Sequence, residues 1–119
     1  MNKALVYATY GWLAASGVLH FAIDVVSQYV RGKRAPGLES TLYYGLNSAF
    51  ALGQVAFGLL GLFLAWRAMS LLTQTPVMLL TIAAGLGWLA ITFAFMQYRE
   101  PRVSVGLFCV LAIAAASTR

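Results

Sequence analysis

Charged residues are scarce in this chain: they make up 9% of its 119 residues, whereas 61% are hydrophobic. A soluble domain of ordinary composition has about a quarter of its residues charged. So few charges cannot cover the surface of a soluble protein of this size, which excludes a water-soluble fold. The composition predicts an integral membrane protein, and a chain of this length is expected to form a single domain over residues 1–119.

Cysteine and histidine each occur once, as Cys109 and His20, and only three residues are acidic. One thiol cannot form an internal disulfide, and a thiol in hydrocarbon behaves as a small hydrophobic group. The few potential metal ligands are scattered and lack the spacing of a metal site. We therefore expect neither a bound metal nor a cofactor.

Basic residues outnumber acidic ones by eight to three, which gives a net charge of +5. No basic stripe or stacking platform is long enough to indicate nucleic-acid binding, and contact with anionic lipid head groups accounts for the excess. Most of the basic residues fall at 31–40 and 99–102. The positive-inside rule predicts that these loops are cytoplasmic, in a bacterial inner membrane, with both termini outside. The excess of basic residues on the predicted cytoplasmic side is small, so insertion in both orientations is an open alternative.

Four apolar segments, separated by short polar breaks, cover residues 4–30, 41–66, 76–98 and 101–117. A helix needs roughly 20 residues to cross a bilayer, and continuous segments rich in leucine, alanine and glycine do not fit a β-barrel. The first segment continues past any signal-peptide cleavage site, so we interpret it as a retained helix. The sequence predicts an all-α integral membrane protein, a four-transmembrane-helix bundle with up-down-up-down topology.

A polar stripe runs along the first segment, where Ser16, His20, Asp24 and Gln28 follow one another at intervals of four residues. This spacing places them on one side of a helix. A polar side chain that faces lipid is energetically costly, so such residues normally face the inside of the bundle and are often functional. His20 and Asp24 are also the only candidates for catalytic residues.

The second segment has two distinct faces. Asn47 and Gln54 lie on a polar face, whereas Gly45, Ala49 and Gly53 form a small-residue face suited to close helix packing. Two such faces predict a central position for this helix. With one aromatic residue from the third segment added, the predicted ligand-binding site consists of Ser16, His20, Asp24, Asn47, Gln54 and Trp88.

Aromatic residues concentrate towards the ends of the predicted helices. Such a distribution is typical of a belt at the membrane interface. The residues interpreted in this way are Tyr7, Tyr10, Trp12, Tyr29, Trp66 and Tyr98.

The polar site and the basic loop beside it favour the binding of an amphiphilic small molecule or lipid with an anionic or polar head. Membrane lipids and further copies of the chain are the expected partners. Three alternatives stay open: a proton-coupled transporter, an enzyme with His20 as the acid or base, and a structural or accessory subunit. Binding is favoured over catalysis, because no second strong acid or activated nucleophile accompanies His20. No motif identifies a family.

Overall fold

Helices account for nearly all of residues 2–118, the part of the chain that the computed structural model describes, and no β-strand occurs there. All four long helices are long and apolar enough to cross a membrane, and a one-turn helix at Met69–Leu72 lies between the second and the third. The chain is therefore a multi-pass membrane protein, and the prediction of an all-α four-helix bundle is confirmed. The four helices are α1 (Lys3–Val30), α2 (Leu38–Arg67), α3 (Thr75–Phe95) and α4 (Glu100–Ser117).

Both ends of α1 are capped by local hydrogen bonds. The side chain of Asn2 accepts a hydrogen bond from the amide of Leu5, which satisfies one free N–H of the first turn. At the other end Gly32 adopts a φ of +60°, and the amide of Lys33 donates to the carbonyl of Gln28. This Schellman motif ends the helix at the basic, glycine-containing break.

Two helix ends differ from the predicted ones by three residues. The second helix begins at Leu38 rather than at residue 41, with Glu39 in a first turn where a negative charge is favourable. The third helix ends at Phe95 rather than at Tyr98. The guanidinium of Arg102 donates to the carbonyls of Met96 and Thr92, so the end of α3 is capped by a side chain from α4.

The central helix of the bundle is α1, which packs against both α2 and α4, whereas the sequence predicted that α2 is central. Gly58 and Gly61 of α2 allow the closest approach. A Cβ atom at Gly58 would lie 2.6 Å from the backbone nitrogen of Ala14, and one at Gly61 would overlap the ring of Tyr10. Small residues at these two positions bring the two backbones together.

The third helix packs mainly against α4. Gly85 makes room for Cys109 and Phe108 of α4, since a Cβ atom there would lie 2.9 Å from the Cys109 sulfur. A buried hydrogen bond of 2.8 Å joins the hydroxyls of Tyr10 in α1 and Thr81 in α3. The spatial order of the helices is thus α2, α1, α4, α3.

Two buried apolar clusters stabilise the bundle. One of them, which includes Val6, Tyr10, Ala65 and Ala115, lies towards the end that holds both termini, and the other consists of Phe50, Val105 and Cys109. The backbone amide of Asn2 donates to the Thr118 hydroxyl at 2.9 Å, which ties the two chain ends together. At the opposite end a cavity separates α1 from α4, and the polar residues lie beside it.

Candidate ligand-binding site

A hydrogen-bonded network joins His20 and Asp24 of α1 to Asn47 of α2. The His20 Nε2 atom lies 3.0 Å from Asn47 Oδ1, and its Nδ1 atom lies 2.9 Å from Asp24 Oδ2. The imidazole and the Asn47 side chain are buried, and the His20 ring also packs against Phe50. Both nitrogens of the imidazole are therefore occupied by neighbouring side chains.

The number of protons in this network follows from its geometry. The Nδ2 atom of Asn47 donates to the carbonyl of Tyr43 at 2.9 Å, so Oδ1 of the same amide must accept from His20. Nε2 of His20 therefore carries a hydrogen, and one further proton lies between Nδ1 and the carboxyl of Asp24. Whichever atom holds that proton, His20 and Asp24 together carry no net charge.

Asp24 lies in a π-helical stretch of α1, Ala22–Ser27. Turns of this kind are rare, occur mostly as short interruptions of α-helices and are frequent at functional sites. The sequence predicted an uninterrupted α-helix here. The stretch begins two residues after His20 and ends one residue before Gln28, so it lies within the predicted polar stripe.

A cavity of about 430 Å³ opens between α1 and α4 next to this network. Most of its wall is contributed by these two helices, with single contributions from α2 and from the loop that joins α3 to α4. The lining residues are Trp12, Ser16, Leu19, His20, Ile23, Asp24, Gln54, Tyr98, Glu100, Pro101, Ser104 and Val105.

Gln54 reaches this cavity from α2. Its side chain is only 2% exposed, and its amide nitrogen Nε2 is buried without a hydrogen-bond partner among residues 2–118. Gly17 of α1 allows the close approach, because a Cβ atom there would lie 3.0 Å from Cβ of Gln54. Nearly all buried polar groups in proteins have a partner, so an unpaired amide beside a cavity indicates a place for one.

Tyr98 and Glu100 line the end of the cavity nearest the loop between α3 and α4. The hydroxyl of Tyr98 is buried, and Asp24 and Tyr43 lie near it. Burial raises the pKa of Tyr98 above its ordinary value, and the negative charge of Asp24 and the neighbouring Tyr43 raise this pKa further. Tyr98 is therefore a neutral hydroxyl at physiological pH.

On the opposite side of the cavity, Trp12 contacts α4 directly. Its indole nitrogen donates to the backbone carbonyl of Ser104 at 2.8 Å. Ser16 lies one turn away, and its hydroxyl donates to the carbonyl of Leu13 in its own helix. The Ser16 hydroxyl therefore bonds to the backbone and not to His20, so the pair does not form an activated nucleophile.

Four of the six predicted ligand-binding residues line the cavity: Ser16, His20, Asp24 and Gln54. Asn47 lies behind His20 and orients it. Trp88 lies elsewhere, packed edge-on against Phe57 and Phe108 between α2 and α4.

The predicted helix-packing residues of α2 are not those at its closest approach to α1. Gly45 and Ala49 are exposed, and a Cβ atom at Gly45 would meet no neighbour within 4 Å. Gly53 lies beside the Trp88 ring. Close packing between α1 and α2 uses Gly58 and Gly61 instead. That Gly45 and Ala49 pack against another helix stays a prediction.

Four further residues line this site that the sequence did not predict there: Trp12, Tyr98, Glu100 and Ser104. Trp12 and Tyr98 were interpreted as part of an interfacial belt, because both occur near helix ends. Tyr10 was interpreted in the same way, but it is buried in the apolar core. The signal for Trp12 was its position one turn before Ser16, on the face of α1 that carries the polar stripe.

Within residues 2–118 no group of three or more His, Cys, Asp and Glu side chains lies close enough to hold a metal ion. Cys109 is a buried free thiol in the contact between α3 and α4. No protein-family model matches the chain, and no characterised protein or solved structure is significantly similar to it.

Proposed function

We propose that this protein binds an amphiphilic small molecule or a lipid within the membrane, with the polar head in the cavity between α1 and α4. The observation that carries the proposal is the buried, unpaired amide nitrogen of Gln54 at the cavity wall. A buried polar group without a partner costs about 1–3 kcal/mol. A ligand that bonds to Gln54 removes this cost, which favours the bound state.

The size and lining of the cavity support the same proposal. Its volume of about 430 Å³ falls in the range of about 300–1,000 Å³ that is usual for small-molecule pockets. Apolar side chains form much of its wall, with a few polar groups between them. Leu19 and Ile23 line it and are 58% and 60% exposed, so the cavity opens sideways towards the acyl chains. The tail of an amphiphile fits this opening.

The state of His20 favours binding over acid–base catalysis. A general base must have a nitrogen within hydrogen-bond reach of the proton that it removes. Both nitrogens of His20 are already bonded, to Asp24 and to Asn47. His20 therefore orients the carboxyl of Asp24 at the cavity wall, and the ligand meets Asp24, Gln54 and Tyr98.

Replacing Gln54 with leucine tests this proposal. Leucine is of similar size but has no polar atoms, so Gln54→Leu is expected to lower the fraction of protein that carries a ligand. In the absence of ligand the same variant is expected to be more stable, because the unpaired amide is gone. Native mass spectrometry of gently extracted protein measures the bound fraction, and thermal unfolding of delipidated protein in detergent measures the stability.

Gln74→Leu is the matched control. Gln74 is exposed at the start of α3, where its side chain makes no capping hydrogen bond, so its replacement is expected to leave the bound fraction unchanged. If Gln54→Leu changes the stability but retains all of the bound ligand, Gln54 plays no part in binding. A structural or accessory role then becomes the better explanation.

A further inference from the structure

We propose that the head group bound in this cavity is a cation, of the class of alkylammonium ions. This inference rests on the proposed function and names the ligand class of the same site. The observation behind it is the charge of the lining residues: Asp24 and Glu100 are acidic, and no lysine or arginine lines the cavity.

The net charge of the cavity wall is negative. His20 and Asp24 share one proton and together carry no net charge, so they neutralise each other but not Glu100. The only ion pair among residues 2–118 joins His20 to Asp24, which leaves Glu100 without a cationic partner there. Glu100 is an exposed residue, so a positive head group beside it gains Coulomb energy at the mouth of the cavity, whereas an anionic head is repelled.

Two basic residues near this end of the bundle, Arg34 and Arg102, make other contacts. The guanidinium of Arg34 lies 3.4 Å above the ring of Tyr43 and donates to Gln28. Arg102 caps the end of α3 and lies over the ring of Phe93. The basic loop alone predicts an anionic or polar head, but none of its basic residues lines the cavity.

The basic residues of the first loop line a separate depression. Arg31, Lys33 and Arg34 surround it together with Ser27 and Gln28, and Ile23 is the single residue that it shares with the cavity. The depression and the cavity thus carry opposite charge.

The polar side chains without charge accept a cationic ligand as readily as a neutral one. The Gln54 amide can present its carbonyl oxygen or its N–H by rotating about its terminal bond, and the Tyr98 hydroxyl can donate or accept. These two groups do not select the sign of the head-group charge. The uncompensated carboxylate of Glu100 makes that selection.

Quenching of Trp12 fluorescence tests the inference, because Trp12 lines the cavity. The chain contains three tryptophans, so the variant Trp66→Phe, Trp88→Phe retains Trp12 alone. This variant in phosphatidylcholine vesicles is titrated with dodecylammonium, dodecanoate and dodecanol, each brominated at the chain end. An alkylamine is protonated at pH 7, since amines of the lysine type titrate near 10.4. If the double variant does not fold, the difference in quenching between the native chain and Trp12→Phe replaces it.

We expect dodecylammonium to reach half-saturation at a mole fraction about tenfold lower than dodecanoate does. Glu100→Gln is expected to reduce this preference, whereas Glu39→Gln, an exposed acidic residue at the start of α2, leaves it unchanged. Phosphatidylethanolamine added to the vesicles identifies the source of the ammonium group. If phosphatidylethanolamine competes with dodecylammonium, the bound group is a phospholipid head. If it does not compete, the ligand is a single-chain amine.

The outcomes separate this inference from the proposed function. Equal or tighter binding of dodecanoate overturns the preference for a cation but leaves amphiphile binding in place. An unchanged preference in Glu100→Gln also contradicts the inference, because Glu100 supplies the uncompensated charge. Quenching that rises linearly and equally for all three probes reflects partition into the bilayer only, and it overturns both proposals.

Discussion

At the scale of single residues, the site is divided between polar atoms that are satisfied and polar atoms that are not. His20 and Asn47 are hydrogen-bonded to each other, and the Asn47 amide also donates to a backbone carbonyl. One carboxyl oxygen of Asp24 is bonded to the His20 imidazole. The amide nitrogen of Gln54 and the hydroxyl of Tyr98 are buried without such a partner among residues 2–118. The first group supports the geometry of the site, and in the proposed function the second bonds to the ligand.

The raised pKa of Tyr98 predicts a loss of stability at alkaline pH. An unfolded tyrosine loses its proton near pH 10, whereas folded Tyr98 retains it to a higher pH. The unfolded state therefore binds fewer protons in this range, and the free energy of unfolding falls as the pH rises above about 10. Thermal unfolding in detergent across this range is expected to show a smaller fall for Tyr98→Phe than for the native chain.

Tyr7→Phe provides the comparison for this measurement. Tyr7 is exposed near the opposite end of α1, and its replacement leaves the Tyr98 hydroxyl in place. The stability of Tyr7→Phe is therefore expected to fall at alkaline pH as much as that of the native chain. An equal loss of stability at alkaline pH in Tyr98→Phe and in the native chain would show that the Tyr98 hydroxyl is not buried as described.

The intervals of four residues along α1 were sufficient to find Ser16, His20 and Asp24, because a costly polar stripe in a membrane helix has to face protein. Gln54 was found in the same way on α2. Tyr98 could not be found, since its position depends on the end of α3, which a side chain from another helix determines.

At the scale of the helices, glycine determines how closely α1 and α2 approach. Gly58→Ala is expected to destabilise the fold by about 1–3 kcal/mol, because the added methyl group has to displace the backbone of α1. The atoms in its way are the backbone nitrogen of Ala14 at 2.6 Å and the carbonyl oxygen of Tyr10 at 2.8 Å. Unfolding of the purified protein in mixed micelles measures the change.

Gly87→Ala is the matched control on α3. A Cβ atom at Gly87 would meet no neighbour within 4 Å, so alanine is expected to be neutral or to stabilise the helix by about 0.5–1 kcal/mol. A similar loss of stability in both variants would contradict the close contact between α1 and α2.

The four helices themselves could be predicted, since length and hydrophobicity decide whether a segment crosses a bilayer. The π-helical stretch around Asp24 could not, because its residues are ordinary helix residues in composition. The glycines at the closest approach between α1 and α2 were also not predicted as packing residues. Two sets of small residues on α2 allow another helix to pack closely: Gly45, Ala49 and Gly53 on one side, and Gly58 and Gly61 on the other. Only the shape of α1 determines which set it contacts.

At the scale of the whole molecule, the order α2, α1, α4, α3 places the cavity between two helices that are distant in sequence. Apolar packing closes the bundle at the end with both termini, and the cavity occupies the other end. The cytoplasmic position of loops 31–40 and 99–102 stays a prediction, as does association with further copies of the chain. Neither affects the position of the polar cavity within one chain.

The measurement that tests the central claim most directly is the fraction of ligand that Asp24→Asn retains, determined by native mass spectrometry of protein extracted from the membrane. Asparagine keeps the size of the side chain but removes the carboxyl that His20 holds at the cavity wall, so the bound fraction is expected to fall, with an affinity about tenfold lower. Glu39→Gln is expected to retain the native fraction, and circular dichroism is expected to show the same helix content in all three proteins. An undiminished bound fraction in folded Asp24→Asn would contradict the account.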